Sequence, residues 1–308
     1  MVTIGLIGCG RWGRKILRDL RALGARVAVA EHRAENAAAA RAEGAAVVVD
    51  SASVLPRVDA FVVATPTVTH AEIVLQLAAT GLPVFCEKPL TNDEHAAERI
   101  ANVAGDRVFV MDKWRYHPGV LALAGIARSG ELGDVHGVVT RRLGWGNPHA
   151  DVDVAWILLP HDLSIALEVL GELPPPLAAL AEWDGDGLLS LAGVLRGATW
   201  HRFEIGARSP DAIRSVELRC RDGVATLDGS YEDTVRIRRT QGALRGEAAG
   251  AVERRAIASA MPLLAELRAF LAFVTGDGPP PKSSAADGVR IVRAIAELRA
   301  LAGVPVAA

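Results

Sequence analysis

Gly8-Cys9-Gly10-Arg11-Trp12-Gly13 sits between an apolar run, Val2 to Ile7, and a segment whose apolar residues recur with helical period as far as Leu23. Strand, tight turn and helix follow one another without a gap. Each glycine then has a mechanical reason: Gly8 for the turn, Gly10 so that backbone can approach a pyrophosphate, Gly13 for close packing of helix on strand. The helix start adds free N–H groups and a partial positive charge, so the motif, with Arg11 and Trp12 inside it, predicts a dinucleotide site. A second apolar strand, Arg26 to Ala30, ends in Glu31, about 20 residues beyond the motif, where a carboxylate grips ribose hydroxyls. Glu31 favours NAD because it would repel a 2′-phosphate, while Arg33 keeps NADP open.

Outward from this stretch, roughly the first 115 residues alternate strand and helix, the pattern of a doubly wound parallel sheet. A helix is expected over Ala34 to Ala42, stopped by Gly44, with strands over Ala45 to Val49, Val58 to Ala64 and Val108 to Met111. Thr65-Pro66-Thr67 and His70 follow the Val58 strand at the carboxyl edge, where ligands of open sheets bind. Thr67 or Thr69 serves equally well as a helix N-cap. Another strand ends in Glu87-Lys88-Pro89 at the same edge, before a helix capped by Thr91 or Asn92. A lysine held there can hydrogen-bond a substrate hydroxyl.

Composition narrows the partner. The net charge of -2 shows no bias toward nucleic acid or an acidic membrane, which leaves a small molecule. Cys9, Cys86 and Cys220 are too few and too scattered for a disulfide framework or a zinc site, so no metal is expected and a reducing compartment, the cytoplasm, is. No apolar run approaches the ~20 residues that span a bilayer, and Met1-Val2-Thr3-Ile4 enters the first strand without a charged leader. The expectation is neither secretion nor membrane insertion.

Two domains are expected from 308 residues, 1–117 for the nucleotide and 118–308 for an α+β substrate and oligomerisation domain with an open, mainly antiparallel sheet. Trp114-Arg115-Tyr116-His117 leads from one to the other and combines aromatic faces with hydroxyl-binding groups, equally the composition of a packed linker. Arg141 and Trp145 belong to a strand that passes into a glycine-containing loop through His149, a second candidate to touch substrate. A helix runs from Trp156 to Leu170 and carries His161-Asp162. Strands follow over Gly187 to Leu195, Ala198 to Ala207, Ile213 to Cys220, Val224 to Asp228 and Thr234 to Arg239. Residues 241–255 read as a loop, and two helices, Pro262 to Val274 and Ala285 to Leu301, close the chain. The apolar run Leu188 to Ala192 predicts that the open sheet meets a second copy, making a dimer or tetramer.

The glycine motif, Ala64-Thr65-Pro66-Thr67 with His70, and above all Glu87-Lys88-Pro89 resemble the Gfo/Idh/MocA oxidoreductases, over nearly the whole chain. The resemblance implies that Lys88 lies beside nicotinamide and substrate, and that the peptide before Pro89 is cis. It also implies that His161 ends an Asp-x-Gly-x-His helix motif, with Ile157 and Leu159 standing here in the aspartate and glycine positions. Hydride transfer between NAD(P) and a hydroxyl or ketone carbon of a sugar, nucleotide sugar or cyclitol is the implied reaction, with Lys88 and His161 sharing the proton work. Loss of the aspartate keeps two other readings open: a nucleotide-binding sensor without turnover, and NAD-assisted elimination or glycoside cleavage.

Overall fold

The computed structural model describes residues 1–147, 151–185, 187–240 and 251–304. The chain forms two compact units, Met1–Lys113 with Met261–Val292, and Trp114–Ala260 with Arg293–Ala308. The division expected after 117 thus falls after Lys113, and the chain returns to the first unit at Met261.

The first unit begins β1 (Thr3–Ile7), α1 (Arg11–Ala22), β2 (Arg26–Ala30), α2 (Ala34–Ala42), β3 (Val47–Val49) and β4 (Ala60–Val63). It continues with α3 (His70–Ala78), β5 (Val84–Glu87), α4 (Glu94–Ala104) and β6 (Val108–Met111). All six strands are parallel, in the order β3-β2-β1-β4-β5-β6. Their apolar runs are buried because helices cover both faces of such a sheet. The order reverses between β1 and β4, which opens a crevice at the strands' carboxyl ends, directly over the glycine motif. Asp93, rather than Thr91 or Asn92, caps α4, its Oδ1 accepting the Ala96 N–H at 2.9 Å. The capping position needs an oxygen two or three residues before the first free amides, and Asp93 is the residue in that register.

The second unit contains α5 (Pro118–Ser129), β7 (Val135–Trp145), α6 (Val154–Leu170), β8 (Pro176–Asp184), β9 (Gly187–Arg196) and β10 (Trp200–Gly206). β11 (Arg208–Cys220), β12 (Gly223–Leu227), β13 (Thr234–Arg239) and β14 (Glu253–Ala256) complete it. The strands form one sheet, β14-β13-β12-β11-β7-β10-β9-β8, antiparallel except where β7 meets β10. One face is covered by α6 over β7, β9 and β10 and by α5 over β11, β12 and β13. Strand alternation sends Val138, Thr140 and Arg142 toward the helices and Val139 and Arg141 to the other face.

Two edge strands escape the sequence reading. β8 follows two prolines, begins at a third and is rich in alanine, a helix former, yet pairing with β9 overrides that propensity and an edge tolerates Pro176. β14 falls inside the expected 241–255 loop, of which 241–250 lie outside the described residues, as do Pro148 and His149. The run Leu188 to Ala192 is not uniformly surface: Leu188 and Leu191 are buried.

α7 (Pro262–Thr275) belongs to the first unit and lays Leu263, Leu267 and Phe270 into its core. Phe270 stacks on Phe85 with ring centroids 4.7 Å apart, and Phe273 meets Phe109 edge-on at 5.0 Å. Each such buried side chain contributes about 1.5–3 kcal/mol. In α8 (Ala285–Leu301), residues through Val292 count with the first unit and later ones with the second. No helix among the described residues is long and apolar enough to cross a membrane.

Candidate active site

The glycine motif has the geometry its spacing demands. Gly8 has φ +85°, and a Cβ there would meet Ala64 O at 2.8 Å; a Cβ on Gly13 would lie 2.4 Å from Gly8 O. Gly10 differs: a Cβ on it would meet nothing within 4 Å. Gly10 is also the N-cap of α1 and offers no side chain to its first amides, which stay available to an anion. Glu31 is buried at the end of β2, where Oε2 accepts the Cys9 N–H at 2.8 Å and Oε1 the Arg33 N–H at 2.9 Å. An open backbone cradle with a buried carboxylate beside it fits a dinucleotide.

Two loops border this cradle. Thr69 Oγ1 donates to Thr65 Oγ1 at 2.8 Å and lies 2.7 Å from Pro66 O, while Thr69, the N-cap of α3, makes no side-chain capping bond. His70 is buried, with Nδ1 2.9 Å from Pro89 O and Nε2 3.0 Å from Thr65 O. Its ring therefore fastens the threonine loop to the Glu87-Lys88-Pro89 turn. The Lys88–Pro89 peptide is cis, as the resemblance implies.

Glu87 links that turn to the glycine motif. Its Oε1 accepts the Trp12 Nε1–H and its Oε2 the Lys88 N–H at 3.1 Å. Lys113 Nζ lies 4.2 Å above the Trp12 ring and Lys15 Nζ 4.8 Å from it. Burial pushes the Glu87 carboxyl up, and the Lys88 and Lys113 charges and the two hydrogen bonds oppose the rise. Glu266 of α7 was missed by sequence reasoning. It is buried, its Oε2 has no hydrogen-bond partner, and burial followed by the charges of Glu87 and Asp112 pushes its carboxyl well above the usual carboxylate range. An acid on an amphipathic helix far along the chain carries no local signal of such a place. The Cys9 thiol is pushed up to about 11, mainly by burial, so no thiolate works in the motif at neutral pH.

In the second unit the candidates separate. His161 lies on the partly exposed face of α6 with Leu158 and Glu168. Ile157, one turn earlier, is buried. Asp162 turns the other way and pairs with Arg142, Oδ2 to Nε 2.7 Å, both buried. Asp153 caps α6 through the Ala155 N–H and pairs with Arg299. Neither carboxylate is placed to replace the family aspartate.

Trp114 is a packed residue, with His117 stacked on it at 4.8 Å and the Arg142 guanidinium 4.7 Å from its ring. His117 caps α5 through the Gly119 N–H, 3.1 Å, and its Nε2 lies 2.9 Å from Ser230 O. Arg115 pairs with Glu168 at 3.1 Å, and Tyr116 follows it in the same 3-10 turn. Arg141 stands on the sheet face away from α6, paired with Glu204 at 3.0 Å, so strand alternation puts Arg142, not Arg141, on the His161 side. Trp145 is exposed at the end of β7. No group of three metal-ligating side chains occurs among the described residues.

Residues 2–110 match the model of the Gfo/Idh/MocA oxidoreductase family, NAD-binding Rossmann fold. Over 184 residues the chain is 36% identical to inositol 2-dehydrogenase 2 of Saccharopolyspora erythraea, a match to 56% of this chain and 54% of that protein. UDP-N-acetylglucosamine 3-dehydrogenase of Acidithiobacillus ferrooxidans is 30% identical over 181 residues, 57% of this chain and 56% of the relative. In sequence the chain thus matches about half the length of these curated relatives. The solved structure of the A. ferrooxidans enzyme superposes with a TM-score of 0.84 at 23% identity over 98% of both chains. Levoglucosan dehydrogenase in complex with NADH and levoglucosan also gives 0.84, at 17% identity over 98% of this chain and 97% of that one. Both likenesses are of fold, and each covers residues of both units.

Proposed function

We propose that the chain is an NAD(P)-dependent dehydrogenase or ketoreductase of a sugar, nucleotide sugar or cyclitol. The observation that carries this is the direct tie between the nucleotide motif and the lysine turn: Trp12 donates to Glu87, whose neighbour is Lys88. The relatives' names, inositol and UDP-N-acetylglucosamine dehydrogenases, support the substrate class. Gly8, Gly10, Arg11, Trp12 and Gly13 hold the pyrophosphate end of the cofactor, Glu31 the ribose, and the Thr65 to Thr67 loop with Glu87 and Lys88 the nicotinamide end. A bound nicotinamide supplies the acceptor for a hydride leaving the substrate carbon. Lys88 hydrogen-bonds the substrate hydroxyl and stabilises the alkoxide as its proton departs; His161 has the intrinsic basicity to take that proton near neutrality. Glu31 favours NAD over NADP. The protein works in the cytoplasm, and the sheet face away from α5 and α6 meets a second copy. A concavity of about 630 Å³ and Leu180, 75% exposed, support that contact.

Ile157 in the aspartate position favours one competitor, a nucleotide-binding sensor without turnover. Reduced-nicotinamide absorbance across sugars, nucleotide sugars and inositols separates the two. Turnover that falls about 10²–10⁴-fold in Lys88→Ala and His161→Ala supports the enzyme. Tight cofactor binding with no turnover on any substrate supports the sensor.

A further inference from the structure

Among the described residues, the helix-bearing face of the second unit holds a cation without an ion pair of its own. Arg142 and Arg214 are cross-strand partners on β7 and β11, so their side chains leave the sheet on the same side, where like charges destabilise the pair. Asp162 is the carboxylate that acts on both. It bonds Arg142 and forms no ion pair with Arg214. Thr140 and the buried, neutral His201 add no charge to the group. Two guanidiniums against one carboxylate leave an excess of one positive charge in a half-buried place.

The geometry of Arg214 says where that charge is offered. Its Nη1 donates to the backbone carbonyls of Ile213, at 2.7 Å, and Leu143, and it makes no ion pair among the described residues. Nη2 borders Gly144: a Cβ there would meet only Nη2 at 3.8 Å and Nη1 at 3.9 Å within 4 Å. The absent side chain leaves room in front of the guanidinium. Asp162, the charge it shares with Arg142, is the residue after His161.

We propose that Arg214 binds an anionic oxygen group, carboxylate or phosphate, on the substrate. The substrate is then an acidic sugar or cyclitol, and neutral ones are poor substitutes. This rests on the dehydrogenase reading, in which substrate meets the α6 side of the second unit. A fixed, partly desolvated guanidinium with a free amino edge suits a charge-assisted bond to such a group.

The test is calorimetric titration of the NADH-loaded protein with glucuronate, glucose 1-phosphate and glucose, with NAD-dependent turnover of the same three followed in parallel. At least one anion is expected to bind tenfold or more tightly than glucose, and which one identifies the carboxylate or the phosphate as the recognised group. Arg214→Gln should lower that anion-to-neutral ratio at least tenfold, and Arg214→Lys, which keeps the charge, should retain most of it. A ratio near one in the wild type, a ratio unchanged in Arg214→Gln, or no binding of either anion overturns the proposal. Turnover with a flat ratio would leave the dehydrogenase reading standing without it. The expected ratio without turnover would keep the anion site and remove the dehydrogenase reading.

Discussion

At the carboxyl edge of the first sheet, three buried acids, Glu87, Asp112 and Glu266, gather near Lys88 and Lys113. On the helix face of the second unit, one buried acid, Asp162, serves Arg142 and Arg214. The imbalance is opposite in sign, and the two resolve it differently. A carboxyl in a dry place can take up a proton, and burial pushes both Glu87 and Glu266 in that direction. A guanidinium has no such exit, so the second unit depends on its ion pair.

That contrast is most sharply broken by deleting one acid from each place. Asp162→Ala leaves Arg142 buried without its partner and is expected to lower unfolding free energy by about 3–5 kcal/mol. Glu266→Gln puts an uncharged group of the same shape where burial disfavours the carboxylate, and is expected to cost less than about 1 kcal/mol. Urea denaturation of both variants at pH 7 measures the difference. Equal losses would mean that Glu266 is ionised and paired, contrary to its surroundings.

A smaller effect comes from His201, behind the same ion pair. Its Nε2 lies 2.9 Å from the Thr140 hydroxyl. His201 Nδ1 is buried and has no hydrogen-bond partner. Protonating it would bury a cation, and burial accordingly drives its pKa from 6.5 down to about 3. Because the folded value lies below the unfolded one, the stabilisation is complete above about pH 6.5 and is lost as pH falls from there toward 3, at about 1.4 kcal/mol per pH unit. Between pH 7 and pH 5 the loss from this residue is about 2 kcal/mol. His201→Gln keeps a side-chain N–H donor but does not titrate, and its denaturation midpoints should fall less steeply over that interval. Parallel curves for the two proteins would show that the imidazole is not the acid-sensitive group.

The sequence was most informative where function and backbone geometry coincide. Gly8 and Gly13 could be assigned separate duties because turn and packing each exclude a side chain, and the structure has both; at Gly10 a Cβ would meet nothing within 4 Å, so its duty toward a pyrophosphate rests on the motif. Glu31 and Lys88 were legible as residues ending strands at a known edge. In the second unit the relevant information is register, which sequence alternation supplies only when both faces of a strand are known. Arg141 and Arg142 are adjacent, and a shift of one residue decides which of them faces α6. Trp114 and His117 have the chemistry of sugar contacts, yet they stack on each other, Trp114 against the Arg142 guanidinium and His117 as the cap of α5. Composition cannot distinguish those uses. Glu266 and β8 were hidden for another reason: their places are set by partners distant in sequence.

The smallest change probes the tie on which the nucleotide-binding reading rests. Trp12→Phe keeps the ring between Lys15 and Lys113 and removes the Nε1–H that Glu87 accepts. A hydrogen bond to an ionisable group contributes about 1.5–3 kcal/mol, less whatever water recovers at this partly buried position. The loss has two places to appear. If the bond only stiffens the fold, Trp12→Phe lowers the denaturation midpoint and leaves NAD affinity unchanged. If it sets the spacing between the glycine motif and the lysine turn, NAD should bind about threefold to tenfold more weakly, measured by quenching of protein fluorescence. Glu87→Gln, which keeps an oxygen acceptor for the indole but loses the carboxylate charge, should then retain more cofactor affinity than Trp12→Phe. The reverse order would assign the effect to that charge beside Lys88, and the hydrogen bond would be incidental to binding.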